Sequence, residues 1–99
     1  MDGIDPLFNA PARLQIAALL AKVSEMEFAR LRELVQVSDS VLSKHLAALG
    51  EANYVRLRKA AADGRQRTWA SLTRTGHCAL ARHVAALRAI VAHLPVAAD

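Results

Sequence analysis

The sequence has few cysteines, no long apolar run and no basic N-terminal region, and each absence excludes a class of protein. It has one cysteine, Cys78, in 99 residues, so an intramolecular disulfide is impossible and a reducing compartment is the simpler setting. The longest apolar run, IAALLA, is far too short to cross a bilayer, and the opening residues MDGIDPLF lack the basic region of a signal peptide. We therefore expect a cytoplasmic protein without a membrane partner.

The composition favours one small folded domain with an anionic partner. Aromatic residues make up only 4% of the chain and apolar residues 54%, so the core must consist mainly of Leu, Val, Ile and Ala. The length suffices for a single domain over residues 1–99. Thirteen Lys and Arg against nine Asp and Glu give a formal charge of +4. Such a balance favours nucleic acid or a membrane surface, although many small basic proteins bind neither.

Apolar periodicity predicts three helices in the first half of the chain. The first covers residues 11–23, with a proline in its first turn, and the second covers residues 27–35. The third covers residues 38–51. Ser38 is expected to cap it, and Asp39 complements the positive end of its dipole.

The second half of the chain begins with an alternating pattern. Residues 54–72 contain two strand candidates separated by Asp63 and Gly64, a pair typical of a tight hairpin turn. Thr73 then caps a last helix over residues 74–94. The predicted order is α-α-α-β-β-α, mainly α with a small β hairpin.

The last helix carries an apolar seam with steps of four and three residues. Such a seam over two heptads is typical of helices that pair with another helix. In so small a domain one side of this helix must cover the core, so we expect the remaining apolar surface to form a homodimer. Burial of the whole seam within one chain is the alternative. The seam consists of Leu80, Val84, Leu87, Val91 and Leu94.

The short link between the second and third helices is typical of a helix-turn-helix, in which the second helix of the pair enters the DNA major groove. The third helix has an inner stripe of Leu42, Leu46 and Leu49. Its outer face carries small side chains and one lysine, which allow close approach to base edges. An ordinary helical hairpin with an unremarkable surface is the alternative. The basic residues that follow favour DNA: Arg56, Arg58, Lys59, Arg65 and Arg67.

The runs LRELVQVSDSVLSKHLAALGEANYVRLRK and DGRQRTWASLTRTGHCAL resemble the winged helix-turn-helix of bacterial MarR/ArsR-type transcriptional regulators. The resemblance covers roughly residues 5 to 92. It implies that helix 38–51 is the recognition helix and that hairpin 54–72 is a wing touching the DNA backbone or minor groove. By position, the implied DNA-binding residues are Ser38, Asp39, Ser40, Val41, Ser43 and Lys44 on the helix, and Lys59, Arg65 and Arg67 on the wing.

Two positions depart from the resembling family, which usually has glycine at both. Gln36 stands in the turn of the helix-turn-helix, and Asn53 stands before the wing. Asparagine tolerates a positive φ fairly well and glutamine less well. We therefore expect Gln36 to cost about 1 kcal/mol or to alter the turn slightly.

The histidines and the cysteine support only weaker interpretations. His77, Cys78 and His83 are possible soft-metal ligands, but adjacent helical residues point about 100° apart, so a site within one chain has poor geometry. A site shared across a dimer stays open. Cys78 is an alternative peroxide-sensing thiol, and a semi-buried structural residue is the simpler interpretation. His45 is a candidate for DNA contact and Trp69 for stacking on a base, but both are expected to pack instead, Trp69 between the wing and the last helix.

These observations favour a transcriptional regulator that binds double-stranded DNA in a sequence-specific manner. We expect a dimeric repressor on a pseudo-palindromic operator, with no metal and no cofactor. We also expect no enzymatic activity, because nothing in the sequence places a nucleophile beside a base. The sequence identifies no effector. The alternative is a winged-helix protein-interaction module that does not bind DNA. RNA binding would require exposed aromatics for base stacking, and only Tyr54 and Trp69 are nearby.

Overall fold

A computed structural model describes residues 2–95 and has the predicted order of helices and hairpin strands. After a 3-10 turn, Pro6–Asn9, the first half contains α1 (Pro11–Leu20), strand β1 (Met26–Glu27), α2 (Phe28–Val35) and α3 (Asp39–Glu51). The second half contains β2 (Val55–Ala62), β3 (Arg65–Leu72) and α4 (Arg74–Ala92). The prediction of a mainly α fold with a small β wing is confirmed. Across the part of the chain described, no helix is long and apolar enough to span a membrane.

The sheet has three strands, whereas the sequence predicted two. Its order is β1-β3-β2, and β3 pairs antiparallel with both neighbours. Met26 lies opposite Ala70 and Glu27 opposite Trp69. A strand of two residues is too short to produce an alternating pattern, which explains why the sequence did not predict it.

Two helices are shorter than predicted. The last helix was expected over residues 74–94, but α4 ends at Ala92 and leaves Leu94 outside the helix. Leu94 precedes Pro95, and the residue before a proline is disfavoured in helical geometry. The first helix, expected over residues 11–23, ends at Leu20 and continues as a 3-10-type turn in which Val23 N–H donates to Leu20 O at 3.4 Å.

Hydroxyl caps fix where the third and fourth helices begin, as predicted. Ser38 Oγ accepts a hydrogen bond from Val41 N–H at 3.2 Å. Thr73 Oγ1 accepts from Gly76 N–H at 2.9 Å. Each cap satisfies a backbone donor that the helix itself leaves free.

Within residues 2–95, three non-glycine residues adopt left-handed backbone geometry where the chain turns. Gln36 ends α2 with φ 60° and ψ 50°, and its N–H donates to Arg32 O at 2.8 Å. Asn53 has φ 63° between α3 and the wing, and Asp63 has φ 53° in the hairpin turn. The first two occupy the positions where the resembling family usually has glycine, so the same turns are kept at a conformational cost.

The core lies among α1, α2, α3 and one face of the sheet. The three inner leucines of α3, namely Leu42, Leu46 and Leu49, are 0–1% exposed. They belong to a cluster with Phe8, Ile16, Leu20, Leu31, Val35 and Val55. Packing α3 by this face fixes which side of the helix is presented to solvent.

We predict that Gln36→Gly stabilises the protein by about 1 kcal/mol, because glycine adopts φ 60° without the steric cost that a side chain imposes. Equilibrium unfolding in urea measures the change. Asn53→Gly is the matched control, and its gain should be smaller because asparagine tolerates this geometry better. A loss of stability in Gln36→Gly would show that the strain inferred for this turn does not exist.

Candidate nucleic-acid interface

The outer face of α3 is short, polar and accessible. With the three leucines buried, Ser40, Ser43, Lys44 and Ala47 are exposed on the opposite side of the helix. Val41, beside them, is 38% exposed. The hydroxyl oxygens of Ser38 and Ser40 lie 3.2 Å apart and share a hydrogen bond. This face carries one positive charge and no long side chain other than Lys44.

An acidic residue stands at the start of the same helix and has a partner. Asp39 Oδ1 lies 3.3 Å from an Arg32 guanidinium nitrogen on α2. The ion pair offsets a charge that would otherwise repel phosphate, and Asp39 also complements the positive end of the α3 dipole. Asp39 was predicted as a DNA-binding residue; its position links the two helices of the helix-turn-helix.

The two faces of the wing carry different predicted residues. Lys59 pairs with Thr68 and lies on the face that includes the buried Val55. Arg65 and Arg67 lie on the opposite face, where Arg65 directly follows the turn. The three basic residues predicted for the wing therefore do not share one surface.

A groove of about 460 Å³ separates α3 from the inner face of the wing. Ser43 and Ala47 line it from the helix, and Leu57 and Lys59 line it from β2. Leu57 shares a face of the wing with the buried Val55, yet it is 48% exposed because it lies over this groove rather than the core. The groove brings residues of the predicted helix set and wing set together around one concave surface.

Carboxylates of the β1 segment hold two arginines on the outer face of the wing. A guanidinium nitrogen of Arg67 lies 2.8 Å from both Glu27 oxygens, and Arg58 donates to Glu25 Oε1 at 2.6 Å. By contrast, within residues 2–95 no ion pair involves Lys44, Lys59 or Arg65. Of the four basic residues predicted to bind DNA, these three therefore keep an unneutralised charge in this part of the chain, while Arg67 pairs with Glu27.

The sequence did not reveal the roles of Glu25 and Glu27. Each acts on a residue more than 30 positions away, across a strand pairing that was not predicted. The structure also changes the interpretation of Trp69. It lies on the outer face, with the Arg58 guanidinium 5.8 Å from its ring centroid, rather than between the wing and the last helix.

The histidines and the cysteine are placed as follows. His45 is half-buried, as expected, and burial together with the nearby Arg13 charge lowers the pKa of its imidazole. Cys78 is exposed, not semi-buried. His83 is 2% exposed, and its Nδ1 accepts a hydrogen bond from the Asp5 backbone at 3.0 Å. Residues 2–95 contain no group of three side chains placed to hold a metal ion.

The predicted apolar seam of α4 divides into a covered part and an exposed part. Leu80 packs against the core, and Val84 is half-buried. Leu87, Val91 and Leu94 are 38%, 68% and 58% exposed. The residues that α4 buries are Gly76, Ala79 and His83. Burial of the whole seam within one chain, the competing interpretation, is therefore wrong for the last three residues.

Comparison with known proteins gives consistent results. The winged helix DNA-binding domain family matches residues 12–91. An uncharacterized protein of Methanocaldococcus jannaschii is 32% identical over 78 residues, which cover 79% of this chain and 85% of that protein.

Solved structures share the fold. A transcriptional regulator homologue from Pyrococcus horikoshii matches 91% of this chain and 89% of its own, with a TM-score of 0.84 and 24% identity. A MarR family transcriptional regulator from Streptomyces coelicolor, solved in complex with DNA, matches 85% of this chain with a TM-score of 0.66 and 26% identity. This chain spans only 56% of that protein.

We predict that DNA binding does not require a metal ion, because His83 Nδ1 already has a partner and Cys78 lies apart from any ligand cluster in residues 2–95. Treatment with a chelator should leave DNA affinity unchanged in a fluorescence anisotropy titration. Cys78→Ser should also bind normally under reducing conditions. Binding that a chelator abolished and one metal restored would contradict the prediction and indicate a site shared between subunits.

Proposed function

We propose that this chain, which belongs to the winged helix DNA-binding domain family, represses transcription as a homodimer on a pseudo-palindromic operator. Its fold is that of the MarR-type transcriptional regulators. Members of this class of regulator are not enzymes. The specific DNA contacts, the dimer and the direction of regulation are our proposals.

The observation that carries the proposal is the exposed face of α3 beside an open groove. Ser43 and Lys44 occupy this face, and Lys59 stands across the groove on the wing. Lysine can contact guanine O6 and N7 or a phosphate, and serine can donate or accept at a base edge. A helix with such a surface, held by its other side, suits insertion into the major groove.

The wing is proposed to contact the DNA backbone or the minor groove. Arg65 directly follows the hairpin turn, and no ion pair within residues 2–95 involves it. Arg67 lies further from the tip with Glu27 against its guanidinium. We therefore assign the larger share of wing–phosphate attraction to Arg65 and Lys59, and a smaller share to Arg67.

The dimer is proposed to form through the exposed part of the α4 seam, with help from α1. Leu87, Val91 and Leu94 leave an apolar strip uncovered at the end of the helix. Large exposed apolar surfaces favour protein contacts. A two-fold dimer presents two recognition helices to two half-sites, which is the reason for expecting a pseudo-palindrome. Occupancy of such a site blocks a promoter, and this is the simplest route to repression.

We predict that Ser43→Ala and Lys44→Ala reduce the preference for specific over random DNA, because a lost base contact costs about 1–3 kcal/mol at its own position. Arg65→Ala should instead weaken binding to all sequences alike and reduce the salt slope by about one, as expected for a lost phosphate contact. The measurement is affinity for operator and scrambled DNA at several salt concentrations.

Arg30→Ala is the matched charge control, because Arg30 pairs with Glu33 on the exposed surface of α2 and is outside the proposed set. It should change neither the preference nor the salt slope appreciably. If Ser43→Ala and Lys44→Ala both leave the ratio of specific to random affinity intact, α3 is not a recognition helix. The face would then serve another partner, such as a protein.

We predict that Leu87→Glu produces monomers, because a carboxylate in the middle of the seam would have to be buried on association. Sedimentation at tens of micromolar protein measures the change from the expected dimer. Leu57→Glu is the matched control: it places the same charge at a similarly exposed leucine on the wing and should remain dimeric. A monomeric unmodified protein would contradict the proposed interface.

A further inference from the structure

A chain of hydrogen bonds joins Asp5, just before the 3-10 turn, to Tyr54 after the end of α3 and to His83 in the middle of α4. The Tyr54 hydroxyl donates to Asp5 Oδ2 at 2.5 Å, and the Asp5 backbone N–H donates to His83 Nδ1 at 3.0 Å. The second Asp5 oxygen accepts from Leu7 N–H at 3.0 Å. None of these residues belongs to the proposed DNA-binding or dimer sets.

Tyr54 lies at the junction between α3, the proposed recognition helix, and α4. Its N–H donates to Leu49 O on the last turn of α3, and its carbonyl accepts from Thr73 N–H at the start of α4, both at 2.9 Å. The first turn of α4 also packs closely on this residue. A Cβ added at Gly76 would lie 2.2 Å from Tyr54 O, so only glycine permits the approach. The backbone of Tyr54 thus contacts both α3 and the start of α4 directly.

Three ring side chains pack together around this junction. Phe8 stacks on Tyr54 with 5.7 Å between ring centroids and lies at a tilt against His83 at 5.3 Å. Phe8 and His83 are each 2% exposed. The hydrogen bond to Asp5, with burial, raises the pKa of the Tyr54 phenol, so the hydroxyl keeps the proton that it donates to Asp5. Asp5 and Tyr54 are half-buried and line a cavity of about 170 Å³. Asp5 therefore links Tyr54, which follows α3, to His83 in the middle of α4 through oriented hydrogen bonds.

We infer that Asp5 is a positioning residue that sets the angle of α4 against the recognition helix, and with it the half-site spacing that the dimer accepts. The inference rests on the proposed dimeric function. The nineteen residues of α4 span about 28 Å, so a rotation of about 10° at the junction moves the far end by about 5 Å. One base pair advances along DNA by about 3.4 Å. The displacement that such a small rotation produces is therefore comparable with the rise of one base pair.

The test compares variants that break or keep the link. Tyr54→Phe removes only the hydroxyl and keeps the ring against Phe8, and Asp5→Ala removes the carboxylate. Asp5→Asn keeps an acceptor for Leu7 N–H and a polar group facing the Tyr54 hydroxyl. Ile16→Val, a core change that leaves every hydrogen bond of the junction in place, controls for lost stability alone. Affinity is measured for a single half-site and for operators whose half-sites are separated by the selected distance or by one base pair more or less.

The unmodified dimer should prefer its own spacing by about tenfold or more, because both helices must enter the groove together. Tyr54→Phe and Asp5→Ala should reduce this preference to about threefold or shift it by one base pair, with single half-site affinity changed less than about twofold. Asp5→Asn and Ile16→Val should keep the original preference.

Retention of the original preference by Tyr54→Phe and Asp5→Ala, with the proteins folded, would overturn the inference and leave the proposed function standing. Equal binding of all spacings by the unmodified protein would overturn the proposed dimeric function, and the inference with it. A reduced preference in Ile16→Val as well would also contradict the inference, because stability rather than geometry would then control spacing.

Discussion

Burial of three leucines on one side of α3 is the constraint on which the rest of the interface depends. Leu42, Leu46 and Leu49 are at most 1% exposed, and full burial of a leucine is worth about 1.5–3 kcal/mol. Contacts among exposed polar groups on the other side are each worth about 1 kcal/mol or less. The core therefore decides the rotation of the helix about its axis. The outer face is free to carry residues chosen for contact with a partner rather than for folding.

Charge pairing determines how the surrounding basic residues can act. Glu25 and Glu27 face Arg58 and Arg67 on the outer face of the wing, and Asp39 faces Arg32 beside the turn. These pairs join β1 to the wing and α2 to α3, and they weaken the attraction of those arginines for phosphate. The formal charge of +4 therefore does not indicate which basic residues are available to bind phosphate. What matters is where basic side chains without a partner in the described chain lie relative to α3.

Local features could be predicted from the sequence, and long-range pairings could not. The stripe of α3, its Ser38 cap and the turn at Asp63 and Gly64 depend on residues a few positions apart, so their signals are contiguous. The Arg67–Glu27 pair joins residues 40 positions apart, and Asp5 meets His83 across 78 positions. No local pattern marks such a partner. The resemblance to a known family supplied the wing and its residues, but it did not show that Arg67 faces a carboxylate or that Lys59 faces the groove.

Recognition of DNA by α3 is tested most directly by selecting bound sequences from a pool of random double-stranded DNA with the purified protein. If α3 contacts base edges in each subunit of a dimer, the enriched sequences should form an inverted repeat. The centres of its half-sites should lie about 10 base pairs apart, or a multiple of that distance. Failure to enrich any sequence would contradict recognition by α3. Enrichment of a single unrepeated motif would contradict the two-fold dimer.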